Sequence, residues 1–553
     1  MRRALTAIGG VMLAFLIVLA AAAQQPAPAP TAPPPEATAG QQGQQPPPGE
    51  PGERGERGEK GERGKKGQKP ELKPPPLPEE QRKLLPDTRP GKVLGEWLAI
   101  CGRPSVDLMA KWVEDHLRKP FLEGTDARTL GRADAVDCFD AGGYQLKEVV
   151  DSSDERLVML AYGPKLDAWF RLFIGVNDQG SGPVRASPAT PPEDSLFRDA
   201  KEAAKVLTDA GLAKDIKRHA ELLYGADAFT GVAIAARDGR PFITQTAGYA
   251  DRTRERPFTP STQFTIGSMG KMFTAAAFGQ LVDQGKASFD DKVGRFFPDY
   301  ANETVRNKVT VAMLLTHTSG MGDFLAKRTP EMMRNGVKRA AEFMPLFEKD
   351  EPSFEPGTAS RYSNAGLALV GAIVEKVSGE DYPGYLRKHV FEPAGMANSD
   401  PNNIPRPMDA RPSTLVVPYT KQGDSGPLLG WVEAERDIGS PAGGAISTAE
   451  DLVKFAEALR GGKLVRKETF AKMASPHDKT PMGAYGYAMN VADIYGRTVV
   501  GHGGGFPGVS TELYIVLDSP YAAVVLSNQD PPAAEMIGER LRALLVKKAQ
   551  EKQ

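Results

Sequence analysis

The chain opens on an almost unbroken apolar run over residues 4–20, preceded by Arg2-Arg3 and closed by Ala21-Ala22-Ala23. A charged start, an apolar middle and a small-residue end are the three parts of a secretory signal peptide, here residues 1–23, and imply an exported, periplasmic or extracellular protein. Left uncleaved, the run approaches spanning length and becomes a membrane anchor. Residues 24–48 are mostly Gln, Pro, Ala and Gly, bury nothing, and are expected to be disordered. From residue 49 to residue 69 glycine recurs at every third position, the period a collagen triple helix needs because only glycine fits at its axis. With few triplets and one proline at a third position, Pro51, the composition favours a charged linker; the collagen-like reading implies a homotrimer.

Hydrophobic periodicity begins after a proline-rich linker, residues 70–90. Leu94, Trp97, Leu98, Leu108, Trp112, Val113 and Leu117 mark one or two amphipathic helices, and residues 144–150, 156–162 and 169–175 read as strands. Helices followed by strands predict a small α+β domain over residues 91–180. Pro183, Pro188, Pro191 and Pro192 mark residues 181–195 as a linker.

A helix over residues 197–224 leads into a second, larger domain, residues 196–550. Apolar stretches at 229–237 and 241–248 flank Asp238-Gly239, a hairpin signal. A helix over 268–284 follows, stopped by Gly285. Residues 311–320, 366–377 and 382–390 are helical in pattern, and Ser447-Thr-Ala-Glu450 reads as a capping box. Strand patterns return at 498–501, 509–517 and 521–527, before a last helix over 534–548. The sheet is therefore assembled from both ends of the domain, around inserted helices.

Composition narrows the partners. The 69 Lys+Arg balance 70 Asp+Glu, so no global field points to nucleic acid or another polyanion. Cys101 and Cys138 share one segment, where a disulfide or two buried thiols both fit. The six histidines lack metal-ligand spacing, so neither metal nor cofactor is expected.

Three stretches carry candidate chemistry. Ser268-Met-Gly-Lys271 at a helix start puts a hydroxyl and an amine one turn apart, although a capped helix with a solvated lysine gives the same pattern. Tyr362-Ser-Asn364 follows a Pro-Gly turn; in an extended segment both side chains share a side. Gly501-His502-Gly503-Gly504-Gly505 sets a histidine beside glycines at a strand edge, where a substrate backbone can approach closely. Each has a bland reading as turn or loop, but their conjunction in this order favours catalysis. Asp323 and Glu355 lie in the same central region with no role required of them.

With these motifs, and with Leu314-Leu-Thr-His-Thr-Ser-Gly320, Phe354-Glu-Pro-Gly357 and Gly443-Gly-Ala-Ile-Ser447, the chain resembles the penicillin-recognising serine hydrolases. The resemblance is to the class C β-lactamase-like branch with its esterases and D-amino-acid peptidases, and it covers residues 216–548. It implies an α/β fold: a β-lactamase-like antiparallel sheet flanked by helices, with an inserted helical subdomain, here preceded by the small α+β domain. It implies that Ser268 is the nucleophile of an acyl-enzyme and that Lys271 and Tyr362 share the general-base work, with Lys271 neutral or Tyr362 ionised near neutral pH. It further implies that Asn364 orients Lys271 and holds a substrate amide, and that the N–H groups of Ser268 and Gly505 form an oxyanion hole. Where the family's lactamases carry Lys-Thr-Gly, this chain has His502-Gly503-Gly504, which favours an esterase or D-amino-acid peptidase over a β-lactamase or D-Ala-D-Ala carboxypeptidase. The substrate expected is a small molecule or peptide, peptidoglycan-derived peptides included. A non-catalytic scaffold that binds a cell-wall ligand is the alternative from another class.

Sedimentation of the full chain and of a variant lacking residues 49–69 separates the readings of the glycine tract. A charged linker predicts monomers for both; a trimer that needs those residues identifies a collagen-like stalk.

Overall fold

The computed structural model describes residues 74–122, 126–329, 332, 337–401, 413–421, 428–430, 440–477 and 484–551. The signal-peptide, disordered and glycine-triplet assignments, residues 1–23, 24–48 and 49–69, lie outside the described residues. Among the described residues no helix is long and apolar enough to cross a membrane.

The small α+β domain has helices α1 (Arg89–Cys101), α2 (Val106–His116) and α3 (Ala127–Ala141) against a five-stranded antiparallel sheet. Its strands are β1 (Gln145–Ser152), β2 (Arg156–Gly163), β3 (Ala168–Asn177), β4 (Gly180–Ser181) and β5 (Arg185–Ala189). Along β3 burial alternates, with Phe170, Leu172, Ile174 and Val176 turned to the helices, as a strand with one covered face requires. Each helix starts on a side-chain cap, Thr88, Ser105 and Asp126 accepting from backbone N–H groups of the first turn. Cys101 and Cys138 form a disulfide that ties α1 to α3 across 37 residues. In chain-entropy terms a loop of that size stabilises the fold by roughly 3–4 kcal/mol.

The expected linker over residues 181–195 is corrected, because residues 185–189 are β5 and pair with β3, Pro188 opposite Phe170. Pro188 lacks an N–H but sits on an edge strand, where a missing donor is tolerated. The expected helix over 197–224 is two helices, Ala200–Val206 and α4 (Asp209–Gly225), because Thr208 caps a new start by accepting from Gly211 N–H at 2.9 Å.

The larger domain is built on a six-stranded antiparallel sheet. In sequence its strands are β6 (Gly231–Arg237), β7 (Arg240–Ala247), β8 (Asn490–Ile494), β9 (Arg497–Phe506), β10 (Val509–Val516) and β11 (Tyr521–Ser527). Their spatial order is β8-β9-β10-β11-β6-β7, so both ends of the domain meet where β11 pairs with β6. The β6–β7 turn has both central residues at positive φ, Asp238 at 50° and Gly239 at 70°, matching the twist of the strands it joins. Strands β10 and β11 are buried along their whole length because both faces of the sheet are covered. On one face Val232, Ile234, Leu513, Ile515, Val524 and Leu526 join a core with helices α5 (Lys271–Asp283), α6 (Asn364–Ser378) and α7 (Ala449–Arg460). On the other, Ala233, Ala235, Val516, Ala523 and Val525 pack with α4 and with α8 (Ala533–Gln550). This second core is continuous with that of the small domain. Thr190 donates to Glu539 of α8 at 2.6 Å, and the Tyr495 hydroxyl donates to the Pro191 carbonyl. The two units are thus docked back to back.

Two helix starts differ from expectation. The α-helix after Ser268 begins at Lys271, and Gly267–Gly270 is a 3-10 turn. The cap of α7 is Thr448, accepting from Asp451 N–H, one residue later than the expected Ser447–Glu450 box.

Behind β10 lies a polar cluster of Glu512, Glu535, Glu539 and Arg542. Burial, with the charge of Glu539 adding, pushes Glu535 up to about 7, and Glu512 is pushed up as well, by burial first and by the other carboxylates second. A carboxyl raised above its unfolded value of 4.5 binds an extra proton in the folded state, so its contribution to stability is lost as pH rises through about 7. Thermal melts at about pH 5 and about pH 8 should therefore show a loss of stability that Glu535→Gln reduces by a few degrees. Identical pH dependence in the two proteins contradicts this assignment.

Candidate active site

Ser268 sits on the 3-10 turn between the short strand Phe264–Thr265 and α5. Gly267 is at φ 54°, and a Cβ there would lie 3.1 Å from the Gly505 nitrogen, so glycine lets the turn close onto β9. Lys271 Nζ donates to Ser268 Oγ at 2.9 Å and the Tyr362 hydroxyl donates to the same oxygen at 2.8 Å. Lys271 is fully buried, lies 4.8 Å from the centre of the Tyr362 ring, and also donates to the Ala442 carbonyl. Burial pushes the Tyr362 phenol well above its usual range, and the charge of Asp323 pushes in the same direction. At neutral pH Tyr362 is therefore a neutral hydroxyl. Of the two expected ways to activate the serine, an ionised Tyr362 is disfavoured.

Asn364 is the first residue of α6, so the side-by-side projection expected of an extended Tyr-x-Asn segment does not apply. Its amide donates to Asp323, and the carbonyl that holds Lys271 belongs to Ala442.

His502 lies on β9 and is 1% exposed. Its Nε2 meets the Tyr485 hydroxyl at 3.0 Å and its Nδ1 meets the Gly503 carbonyl. Burial pulls its pKa down to about 3. His502 is therefore a neutral, internal histidine.

The three glycines after it are dictated by close approach. A Cβ on Gly503 would meet Glu512 Oε1 at 2.2 Å, one on Gly504 would meet the Ile266 carbonyl oxygen at 2.1 Å, and one on Gly505 would meet Pro531 at 2.6 Å. The Gly504 position also comes within 2.9 Å of the Ser268 nitrogen. Thr511 Oγ1 reaches both sides of this seam, 2.9 Å from the Ile266 carbonyl and 3.2 Å from that of Gly504. The amides of Ser268 and Gly505 thus border one narrow seam. Pairing of β8 with β9 ends at Gly501, which leaves this edge of residues 502–506 without a strand partner among the described residues.

Residues that pattern reading missed are Ala442, Tyr485 and His317. Ala442 contributes a backbone carbonyl, which no side-chain pattern reveals. His317 packs on Tyr362 and was visible only inside Leu314-Leu-Thr-His-Thr-Ser-Gly320.

The family model described as Beta-lactamase matches residues 216–548. The chain belongs to the beta-lactamase family. Three members it resembles are penicillin-binding protein 4* of Bacillus subtilis (strain 168), a D-aminopeptidase of Cereibacter sphaeroides (strain ATCC 17029 / ATH 2.4.9) and esterase EstB of Burkholderia gladioli. The first is 27% identical over 55% of this chain and 68% of its own length. The second is 26% identical over 57% of this chain and 60% of its own. EstB is 30% identical over 47% of this chain and 75% of its own. The small α+β domain precedes the family match.

The geometry of the seam makes a direct prediction. Gly504→Ala should displace the Ser268 turn and slow covalent labelling of Ser268 by a fluorophosphonate about a hundredfold or more. Unchanged labelling in a variant with a native-like melt contradicts the close-approach argument.

Proposed function

We propose that this protein is an exported serine hydrolase that cleaves ester or amide bonds through an acyl-enzyme on Ser268. One observation carries the reading: a buried amine and a neutral phenol both converge on a single serine hydroxyl, Lys271 Nζ at 2.9 Å and the Tyr362 oxygen at 2.8 Å. Ser268 Oγ attacks the carbonyl carbon while its proton passes to Lys271, which must be in the amine form to accept it. The negative charge that develops on the carbonyl oxygen is met by the N–H groups of Ser268 and Gly505. Collapse of the tetrahedral species breaks the bond to the leaving group, which takes its proton through Tyr362. Water then attacks the acyl carbon while the same two groups take its proton, the acyl–Oγ bond breaks to release the acid, and that proton returns to Ser268.

The substrate class follows from the groups around Ser268. In place of the lysine of Lys-Thr-Gly this chain has a neutral, buried His502, so that position offers no positive charge to a substrate carboxylate. This supports an ester or a D-amino-acid peptide or amide over a β-lactam or a C-terminal D-Ala-D-Ala. The similarity to a D-aminopeptidase and to EstB supports the same classes. The Cys101–Cys138 disulfide supports an exported chain, since such bonds persist in oxidising compartments.

A panel of p-nitrophenyl esters, D-Ala peptides and a chromogenic cephalosporin tests the reading. Turnover of the first or second class is expected, with Ser268→Ala abolishing both turnover and fluorophosphonate or penicillin labelling. Tyr362→Phe should slow acylation at least about a hundredfold with the fold intact. Absence of labelling at any pH favours the ligand-binding scaffold, and near-normal turnover in Tyr362→Phe refutes the role given to the phenol.

A further inference from the structure

His317 follows the short helix Val311–Leu315, and its backbone lies in the left-handed region at φ 60°. For a residue with a Cβ that conformation is strained and persists only where the surroundings fix it. Here the surroundings are the two neighbours of Tyr362. Arg361 N–H donates to the His317 carbonyl at 2.9 Å, and Ser363 N–H donates to His317 Nδ1 at 3.1 Å. The imidazole lies 4.4 Å from the Tyr362 ring at a tilt of 37°. One residue therefore holds the backbone on both sides of the tyrosine and packs against its ring.

The chemistry of the ring is set by the same contacts. Because Nδ1 accepts from Ser363, the proton of the neutral imidazole is on Nε2. Nε2 is buried and has no hydrogen-bond partner among the described residues, which costs stability. A phenylalanine would fill this space without that cost, so the acceptor at Nδ1 is what the position requires. Burial keeps the ring far below the usual histidine range and hence uncharged. The ring also lies 5.2 Å from Tyr485, whose hydroxyl meets His502.

We propose that His317 is a positioning residue for acylation, holding Tyr362 from both flanks so that its hydroxyl stays on Ser268 Oγ. It acts through Tyr362, and the inference rests on the reading of Ser268 as nucleophile. A loop that was merely structural would affect stability and leave the acylation rate of the folded protein unchanged.

The test compares fluorophosphonate acylation rates of the full chain for wild type, His317→Ala, His317→Asn, Tyr362→Phe and the double variant His317→Ala/Tyr362→Phe. His317→Ala should acylate about ten- to a hundredfold more slowly, and with an ester substrate the loss should fall on kcat with KM held. Asparagine tolerates the left-handed backbone and offers an acceptor oxygen to Ser363, so His317→Asn should recover most of the rate. The double variant should be no slower than Tyr362→Phe alone, because the alanine effect passes through the phenol. If His317→Ala melts below the assay temperature, His317→Phe, which keeps a ring against Tyr362 and removes the Nδ1 acceptor, carries the same cycle with Tyr362→Phe. Wild-type rates in folded His317→Ala, or losses that multiply in full in the double variant, overturn the proposal. A wild-type chain that does not label at Ser268 overturns the hydrolase reading along with it, which separates that failure from the failure of His317 alone.

Discussion

The site depends on the closure of the Ser268 turn onto the glycine segment of β9. The serine hydroxyl and the two amides proposed to meet a substrate are placed by that contact. It needs a left-handed glycine at 267, backbone where a side chain would otherwise stand at 504, and a threonine at 511 whose hydroxyl reaches carbonyls on both sides. The approach is too close for a Cβ to be accommodated by side-chain adjustment, since the atoms it would strike at Gly504 include backbone carbonyl oxygen. Rigidity at this seam fixes the positions of two amides without any functional side chain.

Around the seam the chain excludes water from one amine. Lys271 is fully buried on a helix that is itself covered on nearly every side, and its nitrogen is shared between Ser268 and the Ala442 carbonyl. The Ala442 turn is in turn held by Thr274, three residues along the same helix, which donates to the neighbouring Pro441 carbonyl at 2.6 Å. Tyr362 approaches from the start of α6, with His317 at its flanks. Behind β10 the sheet's second face forms one core with the small domain, so the two units are not beads on a string. The cluster of Glu512, Glu535, Glu539 and Arg542 occupies that junction, and Glu512 presses on Gly503 from behind.

Much of this was legible in residue patterns because the signals are local. The Asp238-Gly239 hairpin, the return of strands near the end of the chain and the serine-lysine spacing each depend on residues close in sequence. Features set by distant partners were not legible. Pro188 disguised an edge strand, and α3 buries mainly small residues, Gly131, Ala135, Cys138 and Ala141, which leave no strong apolar stripe. The Asn364 amide donates to Asp323, a carboxylate 41 positions earlier that was given no role. The neutrality of His502 was not legible either, because its burial beside Tyr485 depends on the β9 environment and not on its glycine neighbours.

The account stands on a covalent intermediate at one serine. Rapid mixing with a slowly hydrolysed p-nitrophenyl ester, acid quenching and peptide mass analysis measure it directly. The expected result is an acyl mass on the peptide carrying Ser268, rising within the first turnover and decaying as the acid product appears. Turnover with the acyl group on another residue, or with no adduct while acylation is faster than product release, contradicts it.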